Sequence, residues 1–86
     1  MVGRIVFSKA GRDKNRLMVV VSADDKFLYL CDGKERPLEK PKRKNVKHTA
    51  FTNTILDGNS YKTDKALRRE MARFRDEGLK ERNRNV

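Results

Sequence analysis

The residues with chemistry to offer in this chain are cationic, and they fall into two groups. Residues 40–48 contain Lys40, Lys42, Arg43, Lys44 and Lys47, with no acid among them and His48 at the end of the run. Such a concentration of positive potential draws phosphates from a distance and releases counterions when they dock. An isolated Lys/Arg run is more often a solvated loop, and composition alone also fits a nuclear-localisation signal. The formal charge of +10 on the whole chain tips the balance toward a polyanionic partner. The second group is Lys9, Arg12, Lys14 and Arg16, interrupted only by Asp13, with Gly11 in their midst. A glycine there supplies a turn and lets a sugar–phosphate backbone approach closely, while the arginines can bind phosphate bidentately or stack on a base. The spacing is not that of a nucleotide-binding P-loop, because Arg16-Leu17 stand where Lys-Ser/Thr would be required.

Catalytic chemistry finds no constellation. Cys31 and His48 are the only residues of their kinds, which rules out an intrachain disulfide and leaves too few soft ligands for a structural zinc. Cys31 reads as a small buried apolar residue, and Asp24-Asp25 and Asp76-Glu77 as turn and helix-surface acids. No cofactor is expected and the chain is read as a non-enzyme. Tyr29, Phe51 and Tyr61 could stack on unpaired bases, although core packing is the expected role of Phe51.

Length and composition set the frame for these residues. The 86 residues allow one small domain, and 22 Lys+Arg against 12 Asp+Glu make 40% of positions charged. Leu, Ile, Val and Phe number 20, enough for a small core and too few for a deep substrate cavity. No apolar run approaches the roughly 20 residues that span a bilayer, and none follows Met1 as a secretory signal would, so a cytoplasmic protein without membrane contact is expected.

The elements that must position the cations are mainly β. Residues 3–7 and 16–23 are rich in β-branched types and read as strands, leaving 8–15 as a basic loop whose Gly11 and Asn15 tolerate left-handed backbone. A third strand covers 27–31, with Leu28 and Leu30 pointing inward. Asp32-Gly33 is the preferred sequence of a two-residue type I′ hairpin, which would lead into a fourth strand near 34–38. Pro37 and Pro41 assign that strand to an edge, and a fifth would lie near 46–49. Apolar residues on both faces of 17–21 fit a bent central strand shared by two layers. After loop chemistry at 52–60, Thr63 caps a helix of about 63–78 in which Leu67, Met71 and Phe74 recur at i, i+4 and i+7. Gly78 is its expected stop, with Asp64–Arg68 and Arg73–Glu77 as supporting pairs and a polar tail beyond.

Gly3-Arg4-Ile5-Val6, then Ser8 through Lys14, then Leu17 through Val21 resemble the KOW motif, in which a glycine lies in a loop between two apolar strands. The resemblance extends through Asp32-Gly33, the residues from Leu38 to Lys44, Lys47-His48 and Thr52-Asn53. Together these are similar to the small bacterial KOW-domain RNA-binding proteins related to KOW-type large-subunit ribosomal proteins. The resemblance covers roughly residues 2–55 and implies a small five-stranded SH3-like β-barrel, here followed by a C-terminal α-helix packed on the same single domain. It implies RNA binding through loops at one end of the barrel, with Gly11 as the motif glycine; Asn15 departs from the pattern, where another glycine is frequent.

The expectation drawn from all this is an RNA-binding protein of the translation apparatus, monomeric, holding ribosomal or structured RNA. Its contacts would be Lys9, Gly11, Arg12, Lys14, Arg16, Lys42, Arg43, Lys44, Lys47 and His48. Of these, the 9–16 charges are expected to be held rigidly, and those after Pro41 to sit in a more adaptable connection. The alternative is a protein-interaction module in transcription or ribosome assembly, since a fold of this kind does not by itself decide function. Ribosomal proteins would be further partners.

Overall fold

A computed structural model describes residues 1–84, with side chains described through residue 76. Five strands, β1 (Arg4–Ser8), β2 (Leu17–Ala23), β3 (Phe27–Cys31), β4 (Lys42–Asn45) and β5 (Thr49–Ile55), precede one long helix, α1 (Asp64–Arg84). The strands form one antiparallel sheet in the order β4-β3-β2-β1-β5, so the last strand returns to lie beside the first. β4 and β5 are its two edges, joined through a 3-10 turn at Val46–His48 and not by a ladder.

Both faces of β2 are buried, as its run of apolar residues requires. Val19 belongs to a cluster with Ile5, Cys31, Leu67 and Met71, which lies between the sheet and α1. Met18 and Val20 point the other way, into a second cluster with Val6, Leu28 and Leu30 that Val46 helps to cover. α1 contributes no residue to this second cluster. Register shifts in the β1–β5 and β2–β3 ladders, between Arg4 and Val6 and between Val20 and Ser22, are irregularities of the kind at which strands bend. The inward placement of Leu28 and Leu30 is as the alternation predicts.

Three boundaries differ from expectation. The chain does not turn at Asp32-Gly33 into a fourth strand at 34–38; residues 32–41 form a loop, and the edge strand is Lys42–Asn45. Those four residues carry no apolar side chain, so their strand character comes entirely from pairing with β3. Likewise the fifth strand expected near 46–49 is displaced: Val46–His48 form the 3-10 turn, and β5 covers Thr49–Ile55, where Thr52-Asn53-Thr54 reads locally as loop, because β1 supplies its partner groups. Finally, α1 passes through Gly78 to Arg84. A helical glycine costs about 1 kcal/mol against alanine, and the helix-forming Leu79-Lys80-Glu81-Arg82 that follow offset it. The tail expected from 79 is thus helical through 84, and residues 85–86 lie outside the described part.

The start of α1 matches its sequence signals. The Ala66 amide donates to Thr63 Oγ1 at 3.1 Å, and Leu67 and Met71 are almost fully buried with Phe74 packed at the margin of the same cluster. Of the expected supporting pairs, Asp64 and Arg68 bond elsewhere. Asp64 Oδ1 accepts the Leu38 amide at 2.8 Å and an Arg68 guanidinium N–H donates to the Gly33 carbonyl at 2.9 Å, so both side chains tie the 32–38 loop to the helix. Arg73 lies 3.9 Å from Glu70, and the side chain of Glu77 lies outside the described part.

Candidate nucleic-acid interface

The loop between β1 and β2 is closed at its base and braced inside. Backbone hydrogen bonds cross its base, the Asn15 amide donating to the Ser8 carbonyl at 2.7 Å and the Ser8 amide to the Arg16 carbonyl at 3.1 Å. Tight turns bring Lys14 N–H to the Gly11 carbonyl and Arg16 N–H to the Asp13 carbonyl. Gly11 at φ +82° and Asn15 at φ +69° take the left-handed backbone that these turns demand.

Lys44 locks this loop onto β4. Its Nζ donates to Asp13 Oδ1 at 2.6 Å, to Ser8 Oγ at 2.7 Å and to the Ala10 carbonyl at 2.9 Å. An ammonium has three protons, and all three are used. Both charged side chains of the pair are only 10% exposed. Burial raises the Asp13 carboxyl, but hydrogen bonds from Lys44 and Ser8 and the attraction of the Lys44 charge outweigh it, holding the group below its ordinary value. Lys44 therefore corrects the expectation: it cannot meet a phosphate without dismantling the loop, and its role is to position its neighbours.

The 32–36 loop is built on Asp32, whose Oδ1 accepts the amides of Lys34 at 2.8 Å and Arg36 at 2.9 Å. Gly33, at φ +80°, presses against the first turns of α1; a Cβ there would stand 2.5 Å from the Asp64 carbonyl oxygen. The close approach brings three segments together. Between the β1–β2 loop, the 32–35 segment and α1 runs a groove of about 590 Å³. Arg12, Lys14, Arg16, Lys34, Arg68 and Arg75 line it, against only Asp32 and Glu35, and Leu17, Met71 and Ala72 supply its apolar part. Arg16 is partly neutralised, since its guanidinium donates to Glu35 and lies 3.7 Å from Asp32; the Glu35 hydrogen bond raises its pKa further.

The ten expected contacts thus separate. Arg12, Lys14 and Arg16 share the groove, with Gly11 shaping their loop. Lys9 and His48 meet elsewhere, the Lys9 amide donating to the His48 carbonyl at 2.7 Å, with exposed Lys47 next to them. Lys42 and Arg43 belong to a paired strand and not to an adaptable connection, and the Arg43 guanidinium rests 4.6 Å from the Phe27 ring centre. Of the candidate stacking residues, Tyr61 packs against the helix-side cluster, Tyr29 donates its hydroxyl to Asp24 at 3.2 Å, and Phe51 is 44% exposed instead of in the core. Lys34, Arg68 and Arg75 were missing from the expected set. Arg68, Ala72 and Arg75 do carry a signal, the i, i+4, i+7 spacing of one helix face beside the apolar stripe.

Among the described residues no group of three or more His, Cys, Asp or Glu could hold a metal, and no helix is long and apolar enough to cross a membrane. No family model matches the chain, and no curated protein matches it.

Proposed function

We propose that this chain is a non-enzymatic RNA-binding protein of the translation apparatus, acting in the cytoplasm on ribosomal or structured RNA. The observation that carries this reading is the groove in which six cations face two carboxylates, built from a braced loop and the side of a helix. Phosphate contacts supply affinity in such an arrangement, and fixed geometry supplies preference among shapes. The five-stranded antiparallel sheet with β5 returned to β1, a second apolar cluster to which α1 contributes nothing and a glycine loop between the first two strands support an SH3-like barrel of KOW type. Lys9, Lys47 and His48 form a second basic surface that adds long-range attraction.

The test is the salt dependence of binding to ribosomal RNA fragments, measured by filter binding. With roughly four to six phosphates neutralised on irregular RNA, log K falls against log salt with a slope of about −3 to −4. A flat dependence refutes the reading. A second reading, a protein-interaction module, is favoured by Phe51 at 44% and Ile55 at 57% exposure on edge strand β5. A salt-insensitive complex lost on Phe51→Ser with Ile55→Ser would support it instead.

A further inference from the structure

Building on the RNA-binding reading, we infer that the groove takes a single unpaired strand, clamped between the β1–β2 loop and α1. The cations come from two separate elements, Arg12 and Lys14 from the loop and Arg68 and Arg75 from the helix. Cations on two elements suit a chain whose backbone can be reached from more than one side. An RNA duplex carries its phosphates on the outside of a stiff cylinder with its bases paired within, so it could touch only the rim of a cleft of about 590 Å³, the size of a small-molecule site. The apolar part of the groove points the same way. Leu17 and Ala72 offer surface to a base or ribose, and a base is free to use it only where it is unstacked and unpaired. Ala72 lies between the two arginines on the helix face, and its methyl group leaves open the space that a longer side chain would fill. No aromatic residue lines the groove, so the guanidinium planes are the stacking surfaces there, and base preference is weak.

The experiment compares the full chain binding a labelled, unstructured oligoribonucleotide of roughly 12 nucleotides with the same strand annealed to its complement. Fluorescence anisotropy is read at several salt concentrations. The variants are Arg68→Ala with Arg75→Ala; Ala72→Glu, which blocks the groove on a solvent-facing helix position; and Lys65→Ala with Arg69→Ala, which removes the same charge from the helix outside the groove. Thermal melts establish that each is folded. The expected result is tighter binding to the single strand, lost roughly tenfold or more in the first two variants and only two- to threefold in the third. The Arg68/Arg75 variant also flattens the salt slope by about 1.4, the share of two phosphate contacts on a single strand. Binding the duplex as tightly as the single strand overturns the single-strand inference and leaves RNA binding standing. A preferred single strand that all three variants hold alike overturns the groove as its location. No binding to either form overturns this inference and the proposed function together.

Discussion

Lys44 commits its ammonium group to the fold, and the consequence is testable one residue at a time. Lys44→Met leaves the Asp13 carboxylate buried without its counter-charge, and Asp13 Oδ2 already lacks any hydrogen-bond partner. A loss of about 2–4 kcal/mol in denaturant-derived stability is expected, with part of it recovered in Asp13→Asn/Lys44→Met. Equal stability of Lys44→Met and wild type would show that the pair braces nothing. The same carboxylate predicts an acid limit. Its native pKa lies below the unfolded value, so it adds stability above about pH 3.9, and this is lost as pH falls through the lowered native value. Melting temperature should therefore drop more steeply below about pH 4 in wild type than in Asp13→Asn. Glu35 makes the opposite prediction for binding. Its carboxylate occupies the Arg16 guanidinium inside the groove, standing where a phosphate oxygen would. Glu35→Gln should raise RNA affinity severalfold and steepen the salt slope by about 0.7; unchanged affinity would remove Arg16 from the contact set.

Two glycines with the same backbone sign separate what a loop needs from what a junction needs. At Gly11 an added Cβ would stand 3.6 Å from Asp13 Oδ1 and 3.7 Å from Lys44 Nζ, ordinary contacts, so only the positive φ matters. Gly11→Asn should cost no more than about 1 kcal/mol because asparagine accepts that conformation, whereas Gly11→Val is strained by about 1–3 kcal/mol. At Gly33 the helix backbone itself occupies the space, and Asn fares no better than Ala. Gly33→Asn is expected to lower both the melting temperature and RNA affinity, since moving this loop from α1 opens the groove. If Gly33→Asn and Gly11→Asn behave alike, the close approach to α1 is not a constraint. For the helix, Leu67→Ala should cost about 2–5 kcal/mol, the range for truncating a fully buried leucine, and a melting curve identical to wild type would make α1 an independent arm.

For the molecule as a whole, Cys31 is a built-in reporter. It is fully buried at the junction of sheet and helix, and its thiol is pushed up to about 11 by burial, with Asp64 and Asp32 adding to the effect. Both low access and low thiolate content suppress its reaction. Labelling by a disulfide reagent at neutral pH should therefore proceed at the rate of opening of the helix–sheet core and accelerate in Leu67→Ala. Rapid labelling of the folded wild type would contradict the placement of α1. The net charge of +10 acts at this scale too, drawing polyanions to the molecule before any particular contact forms.

Local pattern by itself determined β1, β2 and β3, the burial of both faces of β2, the left-handed loop residues Gly11 and Asn15, and the cap and apolar stripe of α1. Each is encoded in neighbours close along the chain, by side-chain alternation, helical spacing or backbone permissiveness. The location of β4 was not legible, because Lys-Arg-Lys-Asn becomes a strand only when β3 offers its edge. Nor was the position of β5, expected near 46–49 and found at Thr49–Ile55, whose Thr52-Asn53-Thr54 borrows its order from β1. The candidate site divides in the same way. Composition and spacing identified the cations of 12–16, but whether a lysine meets solvent or a carboxylate depends on residues far along the chain. Lys44 and Asp13 are 31 positions apart and meet only because β4 runs beside β3 and ends under the loop. Arg68 and Arg75 join Arg12 and Lys14 only because Gly33 lets the 32–36 loop seat against α1. Tertiary structure decided which charges are bound internally and which face one groove, since charge is a property of a residue and its partner a property of the fold.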